Sequence, residues 1–130
     1  MRRGLWWSWK FINGLNYWEE DRTTHASEGV NELTGAIVVP GSDFTVRAEL
    51  CFSYHPPGQP PVMTELRHLS IGRPNAAGQY AIDWSSEFTA GNAPVKPDRT
   101  LPPQRAGGVA YGGYAGLSLS FPPDLTGWKF

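Results

Sequence analysis

The chain is expected to be all-β, an antiparallel β-sandwich, and three observations predict it. Apolar and polar residues alternate with period two along most of its 130 residues, the pattern of strands with one face buried. Fifteen Gly and twelve Pro supply turns at short intervals, as many short strands require. No segment keeps a helical period for three turns. About seven strands in meander order follow, and such spacing favours antiparallel pairing.

The elements follow in order. Arg3 to Lys10 reads as a strand with Leu5, Trp7 and Trp9 on one face and Trp6, Ser8 and Lys10 on the other. Asn13-Gly14 is a hairpin turn signal, after which Leu15 to Trp18 pairs back. Glu19 to Glu28 is a polar loop. Val30 to Val39 is a strand closed by Pro40-Gly41-Ser42. Asp43 to Tyr54 alternates most clearly, with Phe44, Val46, Ala48, Leu50, Phe52 and Tyr54 on one face and Thr45, Arg47, Glu49, Cys51 and Ser53 opposite. The proline-rich His55 to Pro61 ends it. Val62 to Ile71 and Gln79 to Ala90 are further strands, the latter with Tyr80, Ile82, Trp84 and Phe88 on one face. Tyr114 to Phe121 is the last. A chain that opens on its densest aromatic strand and stops just after another apolar one is expected to be a single sandwich domain, residues 1–130, incomplete at both ends.

Composition narrows the function classes. The formal net charge is −1 with both signs scattered, so no basic stripe exists to grip phosphates and nucleic acid is not an expected partner. No window approaches the ~20 apolar residues of a membrane-spanning helix. Met1-Arg2-Arg3 is not followed by the apolar core of a signal peptide, and the compartment stays undetermined. Cys51 is the single cysteine, so no disulfide forms within one chain.

Candidate site residues lie on strand faces and in one long loop. Glu65 and Arg67, two apart, share a face with Met63, Leu69 and Ile71. Two charges among apolar side chains need pairing or a cleft, so they are either a cross-strand ion pair on a sheet edge or the lining of a ligand pocket. Asp83 and Glu87 form a polar face with Ser85 and Thr89, either solvated or suited to acid–base work. Residues 92–113 are expected to lack regular structure, and a loop of that length is either a site or a surface excursion. It carries Asp98-Arg99-Thr100 and leads into Tyr111-Gly112-Gly113-Tyr114. His25, His55 and His68 lack metal-ligand spacing, and no metal or cofactor is expected. Trp6, Trp7, Trp9, Trp18 and Trp84 either fill a core or offer flat platforms to sugar rings.

The segments RGLWWSWKFINGLNYWEE, TELRHLSIGRP, GQYAIDWSSEFTA, DRT and GGYAGLSLSF, in this order and spacing, resemble the bacterial family labelled methane oxygenase PmoA, itself similar to the galactose-mutarotase type of β-supersandwich. The resemblance covers nearly the whole chain and implies the central part of a domain about twice as long. It implies a carbohydrate ligand, bound or acted on in a groove of the sheet. Glu65 and Asp83 would then be the acid–base candidates, and Arg3, Trp7, Arg67, Asp98, Arg99 and Tyr114 would contact substrate. The alternatives are a noncatalytic carbohydrate-binding or structural β-domain and, following the family's label, a metal-dependent oxygenase. Membrane methane oxidation needs transmembrane helices and copper ligands, and the sequence shows neither. One departure stands out: Arg2 occupies the position where the family carries a histidine.

Overall fold

The computed structural model describes residues 4–110, 112–113 and 115–120. They are all-β, with every ladder antiparallel. The strands are β1 (Gly4–Ser8), β2 (Phe11–Ile12), β3 (Leu15–Asn16), β4 (Val30–Pro40), β5 (Val46–His55), β6 (Met63–Ile71), β7 (Ile82–Ala90), β8 (Pro97–Asp98) and β9 (Gly116–Ser120). The chain divides into two compact units, one of residues 1–26 with 96–130 and one of residues 27–95.

The first unit joins the two ends of the sequence. β1 pairs with β9, and β2 lies between β3 and β8. The Asn13-Gly14 signal holds: both residues have positive φ, 52° and 82°, as a two-residue hairpin turn demands. The Asn13 N–H donates to the Lys96 carbonyl at 3.0 Å, and the Lys96 N–H to the Asn13 side-chain oxygen at 2.8 Å. This double bond clamps the turn to the start of β8. Ile12, 1% exposed, is the centre of the unit's core. Trp7 and Trp9 meet edge to face at 6.2 Å. Gly116 has φ 70°, and a Cβ there would lie 3.3 Å from the Trp7 ring, so both backbone and space call for glycine.

The second unit is a meander, β4-β5-β6-β7. Its register aligns Ala48 with Leu69 and Trp84, and Glu49 with His68 and Ser85. Paired residues point to the same side of a sheet, so the register assigns every side chain to a face. One face carries Phe52, Tyr54, Met63, Glu65, Arg67, Trp84, Ser86 and Phe88. The other carries Arg47, Glu49, Cys51, His68, Ser70, Asp83, Ser85 and Glu87. Tyr54 and Met63, 3% and 5% exposed, are the most buried apolar residues of the first face.

Three of the differences from expectation have their cause in turns. β5 starts at Val46 because residues 41–45 close a turn, with the Gly41 N–H on the Thr45 carbonyl and the Asp43 carboxylate accepting from the Thr45 hydroxyl. Phe44 has φ 67° and is 81% exposed, so it leaves the face that alternation assigned to it. β7 starts at Ile82 because residues 75–79 turn back on themselves, which leaves Tyr80 exposed. Residues 91–113 are not structureless. β8 lies within them, and bonds such as Arg105 N–H to the Pro102 carbonyl and Gly112 N–H to the Val109 carbonyl fold the rest into successive turns.

Candidate functional site

The sequence candidates Glu65 and Arg67 do meet, but not across an edge. Both lie on β6, an interior strand, and pair along it. Arg67 Nε donates to Glu65 Oε1 at 2.7 Å and Nη2 to Oε2 at 3.0 Å. Tyr54 from β5 donates its hydroxyl to Oε2 at 2.5 Å, and Ser86 from β7 donates to Oε1 at 2.7 Å. The Trp84 indole N–H holds the Ser86 oxygen at 2.9 Å. Glu65 therefore has two donors on each oxygen, which fills the ordinary acceptor sites of a carboxylate. Its side chain is 0% exposed.

The electrostatics follow from this shell. Burial pushes the Glu65 carboxyl up, but the donors on Arg67, Tyr54 and Ser86 outweigh it and hold it below the usual carboxylate range. Burial, together with the Glu65 hydrogen bond and charge, pushes the Tyr54 phenol well above its ordinary value. A carboxylate with no spare acceptor and a lowered pKa is a poor proton donor or acceptor at neutral pH. Arg67 is fixed in turn. Its guanidinium carbon lies 4.3 Å from the Phe52 ring centroid and 4.5 Å from that of Trp84, which places it between diagonal neighbours on β5 and β7.

Asp83 does not join this group. Its register partner is Ser70 and that of Glu65 is Phe88, so the two proposed acid–base residues point to opposite faces of the sheet. Asp83 instead lines an open depression of about 450 Å³ on the polar face, within the usual size range of small-ligand sites. Two cross-strand rows form its floor. One runs Val39, Arg47, Ser70, Asp83 and the next Ile37, Glu49, His68, Ser85. His68 Nδ1 lies 3.8 Å from Glu49 Oε2, with both side chains about half exposed.

The remaining candidates belong to the first unit. Asp98 sits on β8 opposite Phe11 and accepts the Arg99 N–H at 2.8 Å. Arg99 Nη1 reaches the Gly113 carbonyl at 3.3 Å. This pair braces its own loop. Trp7 is a half-buried residue of β1 beside Gly116. Arg3 and Tyr114, and the Arg2 position, lie outside the described residues. Among the described residues no three of His, Cys, Asp and Glu come close enough to hold a metal ion. No helix of the described residues is long and apolar enough to cross a membrane.

Sequence reasoning missed Tyr54, Phe52 and Ser86 as partners of Glu65 and Arg67, and Arg47 and Glu49 as partners of His68 and Asp83. Alternation had put each on a face. The register that sets them side by side depends on pairing between strands, which alternation alone leaves open.

Residues 2–126 match a family of unknown function, DUF6807, and the chain belongs to that family. No curated protein and no solved structure matches it.

Proposed function

We propose that this member of a family of unknown function binds a carbohydrate in the depression on the polar face of the β4–β7 sheet. The observation that carries the reading is the pair of rows Arg47-Ser70-Asp83 and Glu49-His68-Ser85. A sugar presents hydroxyls that both donate and accept, spaced a few ångströms apart around a ring. The rows offer Arg as donor, Asp and Glu as acceptors, and Ser and His as either. The side chains of Ile37 and Val39 complete the lining with apolar surface, as small-ligand sites generally mix a few polar groups with apolar walls. The TELRHLSIGRP and GQYAIDWSSEFTA segments resemble a family that is itself similar to the galactose-mutarotase type of β-supersandwich, and that resemblance implies the same class of ligand.

The test is a titration of labelled protein with neutral monosaccharides, followed by amide shifts. Binding is expected to perturb residues of both rows, and Asp83→Asn and Glu49→Gln are each expected to weaken it about tenfold or more, since loss of a good charge-assisted hydrogen bond is worth roughly 1.5–3 kcal/mol. Full affinity in both variants would remove the depression as the site.

One observation favours turnover as a second reading. His68 Nδ1 lies 3.8 Å from the Glu49 carboxylate, beyond hydrogen-bond distance but near enough for a side-chain rotation to close it, which would give a base oriented by a carboxylate as in general acid–base catalysis. His68→Gln would then abolish epimerisation, elimination or hydrolysis of a bound sugar while leaving its binding within a few-fold. Binding without turnover by the unaltered protein assigns the noncatalytic role.

A further inference from the structure

The lining of the depression is uneven in charge. Its ionisable side chains are Arg47, Glu49, His68 and Asp83. With His68 neutral, one guanidinium stands against two carboxylates, an excess of one negative charge. The strands do not share it equally. β5 contributes Arg47 and Glu49, whose charges offset each other, whereas β7 contributes Asp83 and no cation. Glu87, two residues beyond Ser85 on the polar face of β7, adds a second carboxylate on that side. Neither the Asp83 carboxylate nor the hydroxyls of Ser70 and Ser85 has a hydrogen-bond partner among the described residues.

We propose that the ligand of the depression is an amino sugar, with its ammonium group seated between Asp83, Ser70 and Ser85. The proposal rests on the depression being the sugar site. Ser70 is the register partner of Asp83 on β6, and such partners have Cβ atoms about 5 Å apart. Ser85 lies two residues along β7 on the same face, about 7 Å away. An ammonium carries three N–H donors and no acceptor, and a triangle of that size lets one nitrogen reach an oxygen of each side chain. A neutral hydroxyl has one proton to donate and no charge to set against the carboxylate. A sugar carboxylate would meet Asp83 as a like charge. A hard metal ion takes six or more oxygens, and no three of His, Cys, Asp and Glu gather among the described residues. Arg47 stands at the far end of the row, two strand spacings or about 10 Å away. Its repulsion of the ammonium is largely screened by salt at that distance, and it stays available to the ring hydroxyls.

The test is titration of the unaltered protein at neutral pH with glucosamine, N-acetylglucosamine, glucose and ethylammonium chloride, read by the amide shifts of β5 to β7. Glucosamine is expected to bind about fivefold more tightly than glucose, the worth of a well-seated exposed ion pair. Acetylation removes the charge, so N-acetylglucosamine should lose that advantage, and added sodium chloride should reduce it. Asp83→Asn, at an exposed position, should bring the ratio of glucosamine to glucose affinity close to one. Equal affinity for the two sugars in the unaltered protein overturns the proposal and leaves the sugar reading standing. So does a ratio that Asp83→Asn does not change. Ethylammonium binding as tightly as glucosamine overturns both, because the ring would then contribute nothing. No binding by any of the four also removes both.

Discussion

On one face of the β4–β7 sheet, Glu65 meets Arg67 at 2.7 Å with its carboxylate fully enclosed. On the other, Glu49 meets His68 at 3.8 Å with both side chains about half exposed. The two pairs use similar chemistry on the same strands, yet burial gives them different work. Enclosed ions must be satisfied completely, because desolvating a charge costs several kcal/mol. Glu65 is satisfied by four hydrogen bonds, and that leaves it nothing to offer a substrate. Exposed polar groups interact weakly with each other and stay hydrated, so Glu49 and His68 are free to exchange water for a ligand. A buried carboxylate among aromatics attracts notice in a sequence, but here it organises its neighbours, and the plainer pair is the one available for binding.

The sharpest way to break this contrast is to remove one partner on the enclosed face. Glu65→Ala leaves the Arg67 charge without its carboxylate and should cost about 3–5 kcal/mol, read by urea denaturation. A loss below about 1 kcal/mol would place Glu65 among exposed, weakly coupled ions. Trp84→Leu removes one of the two rings beside the Arg67 guanidinium and the indole donor to Ser86. It should cost about 2 kcal/mol in the same assay, from the cation–π contact and one hydrogen bond together.

Acid tests the enclosed pair without any side-chain truncation. The folded-state pKa of Glu65 is held down, so its contribution is present above the ordinary carboxylate value, about 4.3, and is lost as pH falls through that value toward the folded one. The melting temperature should therefore drop between about pH 5 and pH 3. Glu65→Gln should flatten that slope without abolishing it. Asp21 and Asp43 are also held low, by hydrogen bonds from Thr24 and Thr23 and from Thr45 respectively, and they add their own share. Glu19, hydrogen-bonded to Lys10, is held low as well, and a slope unchanged in Glu65→Gln would show that these exposed carboxylates set the acid limit.

The smallest effect belongs to the open face. Glu49→Gln should change stability by less than about 1 kcal/mol while weakening the sugar binding proposed for that face. A large stability loss there would erase the distinction between the faces.

The fold class and the long strands β4 to β7 were legible because alternation is a local signal. The apolar face of β7, with Trp84 and Phe88, and the polar face with Asp83 and Glu87 follow from period two alone. The turns that pull Phe44 and Tyr80 away from their strands were harder to read. They depend on Asp43 and Asn75 accepting bonds from nearby backbone, and a run of alternating residues hides that competition. The short strands β2, β3 and β8 rest on two residues each, too few for any period. For the site, Glu65 with Arg67 was legible because residues two apart share a face. Glu65 with Asp83 was not excluded in advance, because their faces relative to each other depend on the register between β6 and β7.

The pairing of β1 with β9 and of β2 with β8 has a kinetic consequence. The β4–β7 meander consists of neighbours in sequence, joined by local connections, and can zip up hairpin by hairpin. The first unit cannot, since the clamp between Asn13 and Lys96 spans 83 positions of chain. Its ladders must wait until the residues between them are made and condensed, because an unfolded loop of that length opposes closure through its entropy. The tryptophan-rich β1 is made before the meander and thus remains without its β9 partner until residues 116–120 have been synthesised. Until then its indole rings lack the cover of β9, and apolar surface exposed in this way during folding favours aggregation.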